Sequence, residues 1–364
     1  MDTGSYEFDA LFKKYDGFTS PAFTIKIGGK ELDQTKVIVS NLEIEMSATG
    51  AAGGCSFTVG TEYDFQGRKW VNVISDKLEV GATLEIQGGY VKQKLLFYGY
   101  VDDYNMMFPK GRAPKIAVSG LDGLGYLMSF QEPIFGQQQK PKDVVTEILQ
   151  KSKSAGYAKD FEVGSMDGFE TPVIKKGVDD WKFLNTLAER YGLTLASVCG
   201  ELVFKDLATN TSPIVTLSMS ESLLSFEKKL SMAHQVGKVE IWGKDVNSKF
   251  LKGMATSVSI GGDGKTATQL APKFAKAALR EYTEFARTQA ECDLMAQGRL
   301  NSIAMNLVSG RGSCIGIPEM IAGRYVKIIG ADEKLNGTYF LSKVKHIFSP
   351  EHYVTEFEIK GARS

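Results

Sequence analysis

Two short stretches decide the fold: "GATLEIQG" at residues 81–88 and "GRYVKIIG" at residues 323–330. Both read glycine, two residues, an aliphatic, a charge, isoleucine, one residue, glycine. That is a short strand bounded by glycine at each end. A second pair lies downstream, where "KIAVSG" ends at Gly120 and "EFEIKG" ends at Gly361. The interval from Gly81 to Gly120 is 39 residues and that from Gly323 to Gly361 is 38. Two glycine-bounded strands recurring at nearly one separation point to an internal duplication.

Working outward, the first 20 residues read as an arm. From residue 21 to about 130, "FTIKIGG", "VIVSNLEIEM", "CSFTVG", "ATLEIQGGY", "LLFYGYVDDYN" and "KIAVSG" predict six strands, as in an antiparallel barrel or sandwich. The texture changes from Gln137. "PKDVVTEILQKSK" places Val144, Val145, Ile148 and Leu149 on one helical face. "DDWKFLNTLAERYG" does the same with Trp181, Leu184, Leu187, Ala188 and Tyr191, and Gly192 stops it. "LTLASV" and "ELVFKD" follow as strands joined by a tight turn at Cys199–Gly200, so residues 131–210 read as a small α+β module. Residues 211–364 return to strands, beginning with "PIVTLSM", "KVEIWGK" and "ATSVSIGG". A helical insertion is expected at about 265–303, its clearest start the capping-box spacing of Thr288 and Glu291. The expected fold is mainly β: two similar tube-like antiparallel β-barrels plus a small α+β module.

Composition narrows the function. Lysine plus arginine equals aspartate plus glutamate at 43 each, which excludes the basic excess of a non-specific nucleic-acid binder. No stretch approaches the ~18 apolar residues that span a bilayer. Cys55, Cys199, Cys292 and Cys314 stand alone, without CxxC spacing, and read as small buried thiols made in a reducing cytoplasm.

His346, Glu351, His352 and Glu356 invite reading as a metal site. The two histidines are six residues apart with Pro350 between them, so no single helix presents both. The better parse is strand, turn, strand, with Tyr353, Thr355, Phe357 and Ile359 on one face. "GGDGKT" (261–266) lacks the first glycine of a phosphate-binding loop, because that position is Ser259. Asp102–Asp103 lies in a strand, where neighbours point to opposite faces. Asp179–Asp180 opens a helix, where acids serve the free amides. "SATGAAGGCS" (47–56) reads as a flexible loop, and His234 has no catalytic surroundings. The reading assigns no catalytic, cofactor-binding or metal residues, no cofactor, and no enzymatic activity.

The whole-chain pattern resembles the phage late control gene D family, the baseplate hub of contractile tails and related injection machines. It is also similar to the hub portion of type VI secretion spike proteins. The resemblance runs through "PAFTIKIGGKEL", "LEVGATLEIQGGY", "LFYGYVDD", "KIAVSGLDGLGYLM", "DDWKFLNTLAERYGLTLASVCGELVFKD", "VGKVEIWGKDVNSKFLKGMA" and the closing segment from Gly323 to Gly361, covering residues 21–361. It implies a homotrimer whose three chains contribute two barrels each, adapting a six-fold tail tube to a three-fold spike. The implied partners are the tail tube protein above, a separate spike protein below and baseplate wedge proteins. The implied setting is a chain made in the bacterial cytoplasm and assembled into the baseplate of a phage tail, tailocin or injection particle. A tail-tip enzyme such as a cell-wall hydrolase, and a host-receptor-binding tail protein, are the alternatives.

Overall fold

The alternating stretches of the first half fold as the six expected strands. A computed structural model describes residues 1–60, 62–71, 78–133, 139–350 and 352–364. The strands are β1 (Ala22–Ile27), β2 (Ile38–Ser47), β3 (Gly54–Gly60), β4 (Thr83–Gly89), β5 (Gln93–Met107) and β6 (Lys115–Asp122). Six more form the second half: β7 (Pro213–Ser218), β8 (Leu223–Leu230), β9 (Val308–Ile315), β10 (Tyr325–Ile329), β11 (Gly337–Phe348) and β12 (Tyr353–Gly361). The helices are α1 (Phe8–Lys14), α2 (Gly123–Leu127), α3 (Pro141–Ser154), α4 (Asp180–Tyr191), α5 (Ala267–Leu270) and α6 (Gln289–Ala304).

Pairing supports the duplication. In the first half the strands neighbour one another in the order β2-β3-β6-β5-β4, and in the second β8-β9-β12-β11-β10. Each order is the other moved on by one half, and every pair in both is antiparallel. The opening stretches match bond for bond. The Gly81 N–H donates to the Val101 carbonyl at 2.8 Å, and Val101 donates back to Ala82 at 2.9 Å. Gly323 donates to Leu341 at 2.8 Å, and Leu341 donates back to Arg324 at 2.8 Å. Both glycines have φ of +84°, a left-handed conformation that side chains disfavour, which is why glycine stands at both. Each ladder then carries a bulge at the same place, between Val101 and Asp103 and between Leu341 and Lys343.

The downstream glycines are not equivalent. Gly120 pairs with Val101, but Ile359 pairs with Leu341, so Gly361 lies two residues further along its strand. From the first glycine to its partner the second half is two residues shorter, Gly323 to Leu341 against Gly81 to Val101, and from there across the ladder it is one shorter, so the two-residue offset of Gly361 brings the intervals back to near equality. The flanking strands differ too: β1 runs antiparallel to β4, whereas β7 runs parallel to β10.

Neither half closes on itself among the described strands. The halves instead fuse into a 13-stranded sheet through one seam, β2 against β11, with register Leu42↔Phe348 to Ser47↔Lys343. Leu42, Ile44, Met46, Val344 and Phe348 are buried there, in a core that draws on both halves.

The interruption of the second half is larger than a helical insertion. It occupies residues 231–307, between β8 and β9, and contains its own three-stranded sheet: Phe250–Ala255, Lys238–Lys244 and Ala278–Tyr282. The expected strand "ATSVSIGG" is displaced; the strand ends at Ala255 and the following residues are loop. Nor is 265–303 all helix, since Ala278–Tyr282 is a strand between α5 and α6. This insertion shares a core with the middle module: Leu184, Leu187 and Tyr191 of α4 pack with Cys292, Met295 and Ala296 of α6. Close backbone approach makes that possible. A Cβ on Gly298 would sit 2.8 Å from Gly192 Cα across that contact, and within the insertion one on Gly253 would sit 2.1 Å from the Cys292 carbonyl carbon.

The arm is packed rather than loose. Leu11 and Tyr15 are buried, Tyr15 Oη donates to Glu319 Oε1 at 2.7 Å, and Lys14 Nζ reaches the same oxygen at 2.6 Å. The Arg324 guanidinium donates to the carbonyls of Asp2, Gly4 and Ser212, tying the arm to the second half.

Candidate functional site

The hairpin of β11 and β12 divides its candidate ligands between two sides. Alternation buries Tyr353, Thr355, Phe357 and Ile359 and exposes Glu356. His346 is fully buried. Its Nε2 donates to the Met320 carbonyl at 3.0 Å, and its Nδ1 accepts from the Tyr353 hydroxyl at 2.8 Å. Burial lowers its pKa to about 4, so at neutral pH the ring is uncharged and satisfied. His352 is exposed at the turn, where its backbone N–H donates to Ser349 Oγ at 3.1 Å. Glu351 lies outside the described residues. Among the described residues no group of three or more His, Cys, Asp or Glu could hold a metal ion.

The other sequence candidates resolve into local architecture. The 261–266 loop seats Ser364, which exchanges two backbone hydrogen bonds with Lys265 at 2.8 and 3.0 Å. A helix does start at once after it, but α5 is four residues long and capped by Thr266. Asp102 is the extra residue of the β5 bulge and Asp103 follows it, both exposed, and Asp103 accepts from the Ser119 hydroxyl. Asp179 caps α4, accepting from the Lys182 N–H at 2.7 Å. Asp180 is buried instead, paired with the buried Lys175 and with Lys151 at 2.7 Å. The 47–56 loop is anchored: the Gly50 carbonyl accepts from Trp181 Nε1 at 2.8 Å and from Asn185 at 3.2 Å. His234 is exposed in a left-handed conformation. Cys55, Cys292 and Cys314 are buried, Cys199 is partly so, and all four are free thiols.

What the sheet offers outward is polar. Over one face of β8, β9, β12, β11 and β2 lies an open cavity of about 990 Å³, whose lining includes Glu45, Arg311, Lys343, Lys345, Glu356 and Glu358. Ion pairs cross the seam on that face, Lys343 to Glu45 at 2.8 Å and Lys345 to Glu43 at 2.7 Å. The opposite face is apolar and covered. Sequence reasoning missed β8, the outermost strand, because "LLSFEKKL" carries two adjacent lysines and reads as solvent-exposed. Charges of that kind mark an edge strand.

The fold is that of phage tail proteins. A 43 kDa tail protein of prophage MuSo2 from Shewanella oneidensis is similar at a TM-score of 0.65 and 15% identity, covering 94% of this chain and 99% of that one. A tail protein from Neisseria meningitidis MC58 is similar at a TM-score of 0.67 and 14% identity, over 94% and 96% of the two chains. The E. coli c3393 protein, a component of the type VI secretion system with structural similarity to the T4 bacteriophage tail proteins gp27 and gp5, is similar at 0.56 and 11%, over 93% and 76%. No curated protein matches by sequence. From residue 19 to residue 349 the chain matches the family model described as Alg8 N-terminal domain, and it belongs to that family.

Proposed function

We propose that this chain is the non-enzymatic structural hub of a contractile tail or injection machine. It works as a homotrimer that adapts a six-fold tail tube to a three-fold spike. The observation that carries this reading is the duplicated five-strand unit, fused within one chain into a single sheet. Three chains then supply six similar units, so one ring can meet six subunits above and three below. The polar sheet face suits the inside of such a ring, because charged side chains keep a channel wet. The likeness of fold to tail proteins and to a type VI secretion component agrees with this assignment. Wedge proteins would surround the ring in a baseplate.

The test is the mass in solution together with a map of the assembled particle. Light scattering at the mass of three chains, with three copies between tube and spike, is the expected result. A monomer at every concentration, with no density for the chain at a baseplate centre, overturns the reading.

A further inference from the structure

The duplicated ladder contains one seam and leaves its counterpart open. Within the chain, the C-terminal part of β11 is flanked on one side by β12 and on the other by β2. The corresponding part of β5, residues 103–107, pairs with β6 on one side and with no described strand on the other. The counterpart of β2 is β8, which ends the sheet and pairs only with β9. Among the described residues these two edges of the duplicated ladder are open, and each is the partner type that the other lacks.

Resting on the hub reading above, we infer that β8 of one copy adds antiparallel to residues 103–108 of the next copy, repeating the internal seam between chains. The ladders set the register. Val101 matches Leu341 by its hydrogen bonds, so Asp103 to Phe108 match Lys343 to Phe348. Tracing the pairings across β6 and β3, and across β12 and β9, matches Leu42, Ile44, Glu45 and Met46 to Phe226, Lys228, Lys229 and Leu230. Transposing Val344↔Met46, His346↔Ile44 and Phe348↔Leu42 then sets Tyr104 opposite Leu230, Met106 opposite Lys228 and Phe108 opposite Phe226.

Two independent properties of the surface fit this register. Tyr104, Met106, Phe108 and Leu230 are exposed large apolar side chains, at 36%, 38%, 50% and 50%, and Phe108 has one side of its ring against Tyr63 and Trp70 of its own chain, at 5.0 and 5.5 Å between centroids. They occupy the positions that the internal seam buries, and burying them again is the gain from assembly. The Lys228 ammonium is turned away to the Lys334 carbonyl at 2.7 Å, leaving its aliphatic stem at the edge. On the polar face, the pair Lys343–Glu45 transposes to Asp103 and Lys229. The charges are reversed, yet still opposite. Such a swap keeps the between-chain seam attractive and lets cross-strand pairs define register. An open edge carrying apolar residues is otherwise an aggregation hazard, which pairing removes.

The test uses the full chain with Asn105→Cys and Lys229→Cys together, residues set directly opposite by the register and exposed on the polar face. Lys345→Cys with Glu45→Cys, the internal counterpart, is the control for cross-linking chemistry, and wild type controls for the native thiols. Oxidation is expected to give covalent trimers from the double variant, and only covalent dimers from a mixture of the two single variants. Asp103→Lys is expected to raise the concentration for half-assembly about tenfold, and adding Lys229→Asp to restore it. Trimers by light scattering without covalent species, while the control pair closes, overturn the seam and leave the hub reading standing. Monomers at all concentrations overturn both.

Discussion

The two halves of the sheet share a backbone plan and differ in what their fifth strands meet. The end of β11 reads Lys-Val-Lys-His-Ile-Phe and is closed by β2; residues 103–108, the end of β5 and the phenylalanine after it, read Asp-Tyr-Asn-Met-Met-Phe and meet no described strand on that side. At His346 the chain places a ring with three polar partners: Met320, Tyr353 and Thr355. At the matching position it places Met106, which is 38% exposed. A side chain with demanding hydrogen bonds sits where the chain itself guarantees the surroundings. An adaptable thioether sits where the surroundings must come from elsewhere. The same ladder is thus committed at one seam and left available at the other.

The largest effect that would sharpen this contrast is truncation of the two matching phenylalanines. Phe348 is 2% exposed and stacks on Tyr353 at 4.0 Å between ring centroids. Phe348→Ala is expected to cost about 3–5 kcal/mol, measured by urea unfolding. Phe108 is half exposed and touches only the Tyr63 and Trp70 rings among the described aromatic side chains, so Phe108→Ala should cost the monomer less than Phe348→Ala and weaken assembly as well. Equal losses in unfolding free energy would break the comparison.

The next effect is acid sensitivity. His346 has a folded pKa of about 4 against an ordinary 6.5. Its contribution is fully present above pH 6.5 and is lost as pH falls toward 4, because the unfolded chain takes up the proton first. The loss is about 3 kcal/mol. His346→Met, which copies the first half, should flatten unfolding free energy across that window relative to wild type. An unchanged slope would assign the acid sensitivity to other groups.

A smaller effect tests the insertion that only the second half carries. Gly253→Ala places a Cβ against the α6 backbone and should cost about 1–3 kcal/mol, lowering the melting temperature. The smallest belongs to the polar face: Lys345→Ala removes a partly exposed ion pair with Glu43 and should change stability by under about 1 kcal/mol. A large loss there would show that the ion pairs, not the buried face, hold the seam.

Much of this architecture was legible before any coordinates. Gly192 is left-handed at +67° and ends α4, Thr288 and Glu291 form their capping box, and Cys199–Gly200 is a left-handed turn at +51° and +85°. These are short-range features, in which one residue's side chain or freedom settles its own backbone. The legible part of the candidate surface stopped at β12, whose alternation was plain. The edge strand β8 escaped because its lysines mask the alternation, and Asp160–Val163 because four residues carry too little pattern. The reach of Glu291 beyond its own cap, to the Thr171 N–H at 2.6 Å and the Thr171 hydroxyl at 2.7 Å, had no signal in the spacing.

By itself the sequence determined that the chain is mainly β, that glycines turn it at 81 and 323, and that one pattern occurs twice. Those properties follow from side-chain alternation and from backbone freedom at single residues. Only the tertiary structure decided that β2 pairs with β11 some 300 residues away, and that the middle module shares a core with the insertion. Alternation says which face of a strand is buried, but it does not name the strand alongside. That choice was made by the shape of the whole core, and among the described residues it left the end of β5 and all of β8 with one edge unpaired.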